Sequence, residues 1–298
     1  MNPAGTLGVF TTAKDRSTEL RDAVRAHAGN GTANGLWAQV TGGKTKLKGI
    51  STGAQDLDLD TDAYGLAVGG EAAVQNITLG AAFMGGSGKT ENDSVAGKDD
   101  FNYYGLSFYA KTQVQGIDLE GDVSAAWLKS DLTVGGAADV DTDTTTAVYS
   151  LGIQAKKTFN LGVDVTPFIG MDVYHIKSDG FTTNHGVSIE DANATIVEFP
   201  IGAEVKKAFQ TSSGFSVAPS FSLAVVPTVG SKDIDSKVRF AGAESTYNFT
   251  FADDVKVRSQ LGIEVQKDNF TLGLAEGYDW GNEERSAASV QLRAKYAF

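Results

Sequence analysis

The sequence predicts an all-β fold, a transmembrane antiparallel β-barrel of about 12 strands preceded by one polar helix; the even number is what bacterial outer-membrane barrels require. Three observations lead there. From Gly35 onward, apolar and polar residues alternate with period two. The links between these runs alternate along the chain between short and long. Aromatic residues gather at the two ends of the runs rather than along them. A soluble antiparallel sandwich has no reason to keep short links at one end and long links at the other. A membrane barrel does, with tight periplasmic turns and longer extracellular loops.

The helix comes first. From Thr12 to about Ala28, Leu20, Val24 and Ala28 recur at spacing four, Thr12 and Asp15 form a capping pair, and Gly29-Asn30-Gly31 stops the run. The remaining positions include Lys14, Asp15, Arg16, Glu19, Arg21, Asp22 and Arg25. So narrow an apolar stripe has too little surface to dock on an ordinary core, and the segment suits a polar surrounding on nearly all sides. Residues 1–34 are therefore expected to be linker and helix, and residues 35–298 the barrel.

The strands follow in order. Alternation is present but less clean near 36–48, 62–74, 77–87, 101–114, 116–129 and 161–176. It sharpens around 149–159 (Tyr149, Leu151, Ile153, Ala155, Phe159) and 197–205 (Val197, Phe199, Ile201, Ala203, Val205). It continues through 215–227 and the run from Val257 to Val265. In the strand opened by Phe270, Glu276 interrupts the apolar row, which predicts a bulge or a shifted register. The last run is the clearest, with Val290, Leu292, Ala294, Tyr296 and Phe298 on one face and Gln291, Arg293 and Lys295 on the other. Short links fall near Gln75-Asn76, Gln115-Gly116, Asn160, Gln210–Gly214 and Lys267–Asn269. Long polar links fall near 88–100, 134–144, 178–192 and 229–250, with lesser ones near 50–56 and 281–285. Phe159, Phe209, Phe215, Phe270 and Phe298 stand beside short turns or the C-terminus, whereas Tyr64, Tyr104, Trp127, Tyr149, Tyr278 and Trp280 stand beside long loops. Two belts of amphipathic rings are what two bilayer interfaces select.

Averages hide this pattern. The 298 residues carry 25 Lys+Arg against 37 Asp+Glu, a net charge of −12, with 41% hydrophobic content. Taken alone, these values describe a polar soluble chain. The acidic balance excludes nucleic acid as a partner, since a phosphate-binding face must be basic. With no cysteine there are no disulfides, thiolate metal sites or cysteine nucleophiles. No run approaches 18 apolar residues, so no membrane helix is expected, and Met1–Gly5 lacks the basic and apolar regions of a signal peptide. Split by strand parity, the same residues become an apolar outer wall and a lumen of Gly, Ser, Gln, Glu and Lys. The 35 glycines then suit strongly curved strands.

Sites of chemistry are scarce. His27, His175 and His185 lie in separate segments without HxxxH or HExxH spacing, so no histidine metal site is expected. His175 has outward parity and opens the reading of a Ser-His hydrolase on the outer wall, but no serine or orienting group is placed beside it. The GxSxG elbow is absent. The acidic rows Asp56, Asp58, Asp60, Asp62 and Asp139, Asp141, Asp143 lack the glycine and final glutamate of a calcium loop, and read as solvated strand tops. Divalent bridging to lipopolysaccharide phosphates needs no dedicated site. Gly85–Thr90 ends in GKT, but Phe83 stands where a P-loop needs its first glycine. No catalytic residue, metal or cofactor is expected.

At this point the residues resemble the autotransporter β-domain of type V secretion. Glu19-Leu20-Arg21-Asp22 in a helix, a Gly/Asn linker, and Gly35-Leu36-Trp37-Ala38-Gln39-Val40 opening the barrel carry the resemblance. So do Asp62-x-Tyr64-Gly65-Leu66, Pro219-x-Phe221-Ser222-Leu223, Leu261-Gly262-Ile263-Glu264 and Asn269-Phe270-Thr271-Leu272. It covers nearly the whole chain from about residue 12. The resemblance implies a monomeric barrel in the Gram-negative outer membrane with the helix threaded through its pore, joined to an N-terminal passenger carried to the cell surface. It implies outer-membrane lipid, lipopolysaccharide, the β-barrel assembly machinery and periplasmic chaperones as partners, and the C-terminal row Val290, Leu292, Ala294, Tyr296, Phe298 as the assembly signal. Of the pore-helix residues Lys14, Arg16, Glu19, Leu20, Arg21, Asp22 and Arg25, the bases are expected to pair with lumen acids such as Glu198, Glu204 and Glu264. Some members cut themselves at an Asn-Asn pair in the pore; none occurs here, so self-cleavage is not expected, and the passenger is expected outside these 298 residues. The alternative reading is a porin or small-solute channel.

Overall fold

A computed structural model describes residues 4–27, 34–51, 56–92, 97–134, 140–282 and 285–298. One helix, α1 (Ala4–His27), precedes twelve barrel strands. They are β1 (Gly35–Ser51), β2 (Asp56–Val74), β3 (Ile77–Asn92), β4 (Gly97–Val114), β5 (Ile117–Val134) and β6 (Val140–Lys156). There follow β7 (Asp164–Ser178), β8 (Ala192–Glu198, resumed as Ile201–Lys206), β9 (Ser216–Gly230), β10 (Val255–Lys267), β11 (Phe270–Gly281) and β12 (Arg285–Ala297). Each pairs antiparallel with the next, and β12 pairs with β1 from Gly35↔Ala297 to Leu47↔Arg285, so the sheet closes on itself. Among the described residues no helix is long and apolar enough to cross a membrane.

The outer wall is apolar and uncovered: Leu36, Phe108 and Leu292 are each about 60% exposed. Such a surface is stable only against lipid. Inward residues alternate with it, as in β4, where burial switches at every residue from Asp99 to Lys111.

Pro200 interrupts β8 because it has no N–H to give the ladder. The register survives: Ile196 pairs with Gly230 before the break and Ile201 with Val225 after it. The Pro200 carbonyl accepts the Gly170 N–H at 2.8 Å, and a Cβ on Gly170 would lie 3.0 Å from the proline ring. A side chain there would press on the ring and on the Ile153 carbonyl.

Three expectations are corrected. The helix starts at Ala4, not Thr12. Its first turns carry Leu7, Val9 and Phe10, each 1% exposed or less. A segment buried on every side shows no stripe, so a search for helical periodicity misses it. Second, the polar stretches at 88–100 and 134–144 are largely strand, since β3 runs to Asn92, β4 starts at Gly97 and β6 at Val140. Cross-strand charge supports them: Lys44, Asp62, Lys89 and Asp100 stand directly opposite one another across β1–β4, and Lys44 Nζ lies 3.0 Å from Asp60. The acidic row of β2 thus faces lysines of β1; Asp143 lies in β6, and Asp139 lies outside the described residues. Third, Glu276 makes no bulge and shifts no register. It stands opposite Leu261 and Val290 in unbroken ladders and faces outward.

The links 178–192 and 229–250 fold into a four-stranded sheet above the barrel, from Ala243–Thr250, Asp233–Phe240, Ser188–Ile189 and Phe181–Thr182. Its two-residue hairpin turn, Ala241-Gly242, has both residues at positive φ. The Gly29–Gly31 stop signal lies outside the described residues.

Candidate functional site

The site is the pore with α1 inside it. The helix packs on β5, β4 and β6, and also on β2, β7 and β3. Spacings of seven and four place Lys14, Arg21 and Arg25 on one face, and a spacing of seven places Asp15 and Asp22 on another.

The basic face meets acids. Asp122, Gly152 and Asp172 form one row across β5, β6 and β7. Arg21 Nε donates to Asp122 Oδ2 at 3.0 Å, and Arg25 Nη2 donates to Asp172 Oδ1 at 2.6 Å, with longer diagonal pairs of 3.6 and 3.7 Å. Both guanidinium groups lie over Gly152, where an added Cβ would come 2.7 Å from Arg21 Nε and from Arg25 Nη2. Any side chain there has to push these charged groups aside. Gly152→Val is therefore expected to displace α1 while β6 still forms, read as new trypsin cleavage after Arg21 in a barrel that stays heat-modifiable. Two turns further up, Lys14 Nζ lies 2.5 Å from Glu198, which also holds Lys256 at 3.0 Å. Tyr174 fills the gap, accepting from Thr18 Oγ1 at 3.1 Å beneath the Arg21 guanidinium, 4.7 Å from the ring centre.

The acidic face meets bases. Arg285 Nη2 donates to Asp15 at 2.5 Å, and Arg258 reaches Asp22 at 3.4 Å while its Nε and Nη2 hold Asp279 at 3.1 Å. The lumen thus has an acidic half, from β5, β7 and β8, and a basic half, from β10 and β12. Buried pairs of this kind contribute little net stability, because desolvation offsets attraction, but they fix which way the helix is turned. On this second side a narrow polar crevice runs beside α1, lined by Asp15, Asp22, Thr41, Arg258, Gln260 and Ser289.

The ends are closed differently. At the long-loop end Phe10 meets Phe251 edge-on at 5.6 Å, within an apolar cluster that includes Leu7, Val9, Leu59, Ile234 and Phe249. At the short-turn end His27 stacks on Trp37 at 4.4 Å, Trp37 Nε1 donates to Tyr109 at 3.0 Å, and Lys295 Nζ caps the His27 carbonyl at 2.9 Å.

Of the acids expected to hold the helix, Glu198 does so. Glu264 instead pairs with Lys206, and among the described residues Glu204 forms no ion pair with α1. Arg16 pairs with Glu19 of its own helix at 2.5 Å and lies over Tyr103, and among the described residues no acid of the barrel pairs with it. Leu20 is fully buried and sits on Gly105, where a Cβ would be 3.0 Å from its Cδ2. The partners not foreseen are Asp122, Asp172, Arg258 and Arg285. All four have inward parity in their strands, which is the signal that finds them.

The C-terminal row Val290, Leu292, Ala294, Tyr296 and Phe298 lies on the outward face of β12 and just beyond it. Tyr64, Tyr104, Tyr149, Tyr278 and Trp280 are exposed on the outer wall toward the long loops, and Trp127 stacks on Tyr104 at 5.4 Å. Phe159, Phe209 and Phe270 are exposed toward the short turns, with Phe215 half-buried beneath Lys267. Outward-facing His175 has Nδ1 2.9 Å from Thr195 Oγ1, a threonine where the hydrolase reading needs a serine. Among the described residues, no group of three or more His, Asp or Glu could hold a metal ion.

Comparison with known proteins agrees with this geometry. Residues 36–293 match the autotransporter beta-domain family. No curated protein matches the sequence. The fold is similar to the translocator domain of the autotransporter NalP from Neisseria meningitidis, with a TM-score of 0.76 at 15% identity over 97% of this chain and 99% of that one. It is also similar to the transport unit of AIDA-I from Escherichia coli, with a TM-score of 0.65 at 15% identity over 96% and 98%. For the beta domain of the Bordetella autotransporter BrkA the TM-score is 0.62 at 16% identity over 89% and 100%. At such identities a structural likeness shows shared fold, while the family match over most of the chain shows descent. The chain belongs to the autotransporter β-domain family, translocators of the Gram-negative outer membrane that carry a passenger to the cell surface.

Proposed function

We propose that residues 1–34 serve as linker and pore helix and residues 35–298 as the translocator, and that α1 is the trailing end of an exported passenger, retained in the pore as its plug. The observation that carries this is the double match of charge: basic face to acidic wall, acidic face to basic wall. A helix serving only as a structural element of a soluble domain would not need both. The passenger joins on the N-terminal side of Ala4, which lies at the long-loop, outer end of the barrel. The outward row from Val290 to Phe298, on and just past the strand that closes the barrel, is the segment the assembly machinery reads after periplasmic chaperones deliver the chain. The two aromatic belts seat the wall in lipid and lipopolysaccharide. The role is transport and anchoring, with no catalytic step.

A reporter domain fused upstream of Ala4 tests it. In intact cells the reporter is expected to be open to added protease, with the barrel in the outer membrane. A reporter that stays protected in the periplasm while the barrel inserts normally would sink the proposal.

A further inference from the structure

The outer wall carries its charges unevenly. On β1 to β4, outward lysines toward the long loops stand beside acids: Lys44 and Lys46 share Asp60, Lys89 meets Glu91 and Lys98 meets Asp100. On β5 and β7 this matching fails. Lys129 and Lys177 are exposed and outward, and among the described residues neither has an ion pair. Lys129 stands two residues beyond Trp127 on β5; Lys177 of β7 shares a ladder row with Trp127, with Ala147 between them. Asn193 of β8 lies directly opposite Lys177, and His175 and Thr195 form the next row toward the short turns, joined by their 2.9 Å hydrogen bond. Given the spacing of strands and the rise per residue, the Cα atoms of the two lysines are roughly 12 Å apart.

Over water two exposed lysines would need no explanation. These stand at the aromatic belt, where the stacked rings of Tyr104 and Trp127 mark the interface on the long-loop, cell-surface side. The lipid-facing wall lies just beneath, with Val123, Leu151, Ile153 and Ile169 about half exposed. A ligand that satisfies both levels has an anionic head and acyl chains. We propose that β5 to β8 bind the phosphorylated headgroup of lipid A, the membrane anchor of lipopolysaccharide. Lys177 and Asn193 donate to one phosphate, and Lys129 reaches the headgroup from the other side, each ammonium offering its N–H groups to phosphate oxygens. Ala147, small and set between the lysines, leaves room for the sugar, with Tyr149 next below it on β6. Asp131 and Asp179 come two residues further out on the lysines' own strands and repel an anion there, which keeps the phosphates at the level of the lysines. A glycerophospholipid brings one phosphate to two separated cations, and free phosphate brings no chains. The site needs only the outer-membrane location and is independent of passenger export.

Full-length protein in detergent micelles, titrated with diphosphoryl lipid A and read by native mass spectrometry, tests this. The parent is expected to bind lipid A, and Lys129→Gln/Lys177→Gln to bind it about thirtyfold more weakly, the scale of two lysines each drawn to an anionic membrane surface. Lys129→Arg/Lys177→Arg should keep the affinity. Lys89→Gln/Lys98→Gln removes the same charge from the acid-paired lysines and should stay within about threefold of the parent, since exposed paired charges contribute little. Lipid A stripped of its phosphates should bind the parent no better than intact lipid A binds the Lys129→Gln/Lys177→Gln protein. Millimolar inorganic phosphate should not displace the lipid, and phosphatidylglycerol should bind more weakly. All four lysines are exposed, so the variant barrels fold, checked by heat-modifiable migration. Undiminished binding by Lys129→Gln/Lys177→Gln, an equal loss in Lys89→Gln/Lys98→Gln, loss of affinity with arginine, undiminished binding of phosphate-free lipid A, displacement by inorganic phosphate, or equal binding of phosphatidylglycerol would each overturn the proposal.

Discussion

Replacing Arg21 and Arg25 together by glutamine is expected to open the pore. Among the described residues the two guanidinium groups are the only bases paired with Asp122 and Asp172, and these four side chains range from 1% to 13% exposed. Without the arginines the two carboxylates keep their desolvation but lose their partners, and removing one partner of a buried pair costs about 3–5 kcal/mol. A lumen that admits water softens this toward the lower end. Even about 3 kcal/mol shifts the ratio of docked to undocked helix by roughly a hundredfold. Full-length Arg21→Gln/Arg25→Gln protein in planar bilayers should therefore show frequent large openings where the parent shows the small current of the crevice beside α1. Adding Asp122→Asn and Asp172→Asn should restore much of the closure, because the orphaned charges go with the bases. An unchanged current in the double variant, with the barrel inserted, would mean that the apolar cluster around Phe10 and the Lys295 cap hold the helix by themselves. It would also remove the main argument for a charge-matched plug. A plain porin would conduct similarly in parent and variant.

The barrel was legible because lipid imposes one rule on every strand: apolar outward, period two, with breaks only at the ends. Gln115-Gly116 and Gln75-Asn76 are turns where expected, and the Val290-to-Phe298 row lies on the outer face. The rule weakens wherever lipid is absent. Above the membrane the strands continue on charge pairs such as Lys44–Asp60, and a run of Lys and Asp looks the same on an extended hairpin as in a loop. The first turns of α1 failed for the opposite reason, since Leu7 to Phe10 are enclosed on all sides and carry no periodic signature. Within the site, the composition of the helix revealed that it needed partners, and inward parity marked Glu198, Glu204 and Glu264 alike. The bases beside them decided among them. Glu198 faces Lys14, whereas Glu264 turns to Lys206 on the neighbouring strand. Nothing in one sequence sets how far a helix is drawn into a pore. That depends on which row of strand residues meets which turn, as Asp122, Gly152 and Asp172 meet Arg21 and Arg25.

Phe298→Ala is expected to leave the finished barrel nearly unchanged and to cripple its assembly in cells. The ring is 62% exposed, 6.3 Å from that of Tyr296, and points away from the lumen, so the folded wall owes it little packing. What ties the C-terminus to β1 is the backbone: the Phe298 N–H donates to the Asn34 carbonyl at 2.9 Å, a bond that alanine keeps. Refolded from denaturant into micelles, the variant should reach the heat-modifiable form with a midpoint within a few degrees of the parent. In cells, the amount inserted in the outer membrane should fall about tenfold, with fragments accumulating in the periplasm. The two readouts separate a recognised side chain from a merely structural one. Equal losses in micelles and in cells would assign Phe298 to lipid-facing packing, since burying an aromatic ring is worth roughly 1.5–3 kcal/mol. Undiminished insertion in cells would remove the row from Val290 to Phe298 as an assembly signal. A second variant, Tyr296→Ala, sharpens the test, because Tyr296 shares the outward face but is not terminal. If the assembly machinery reads the end of the chain, Phe298→Ala is the more damaging of the two in cells. If the belt alone matters, the two variants lose alike.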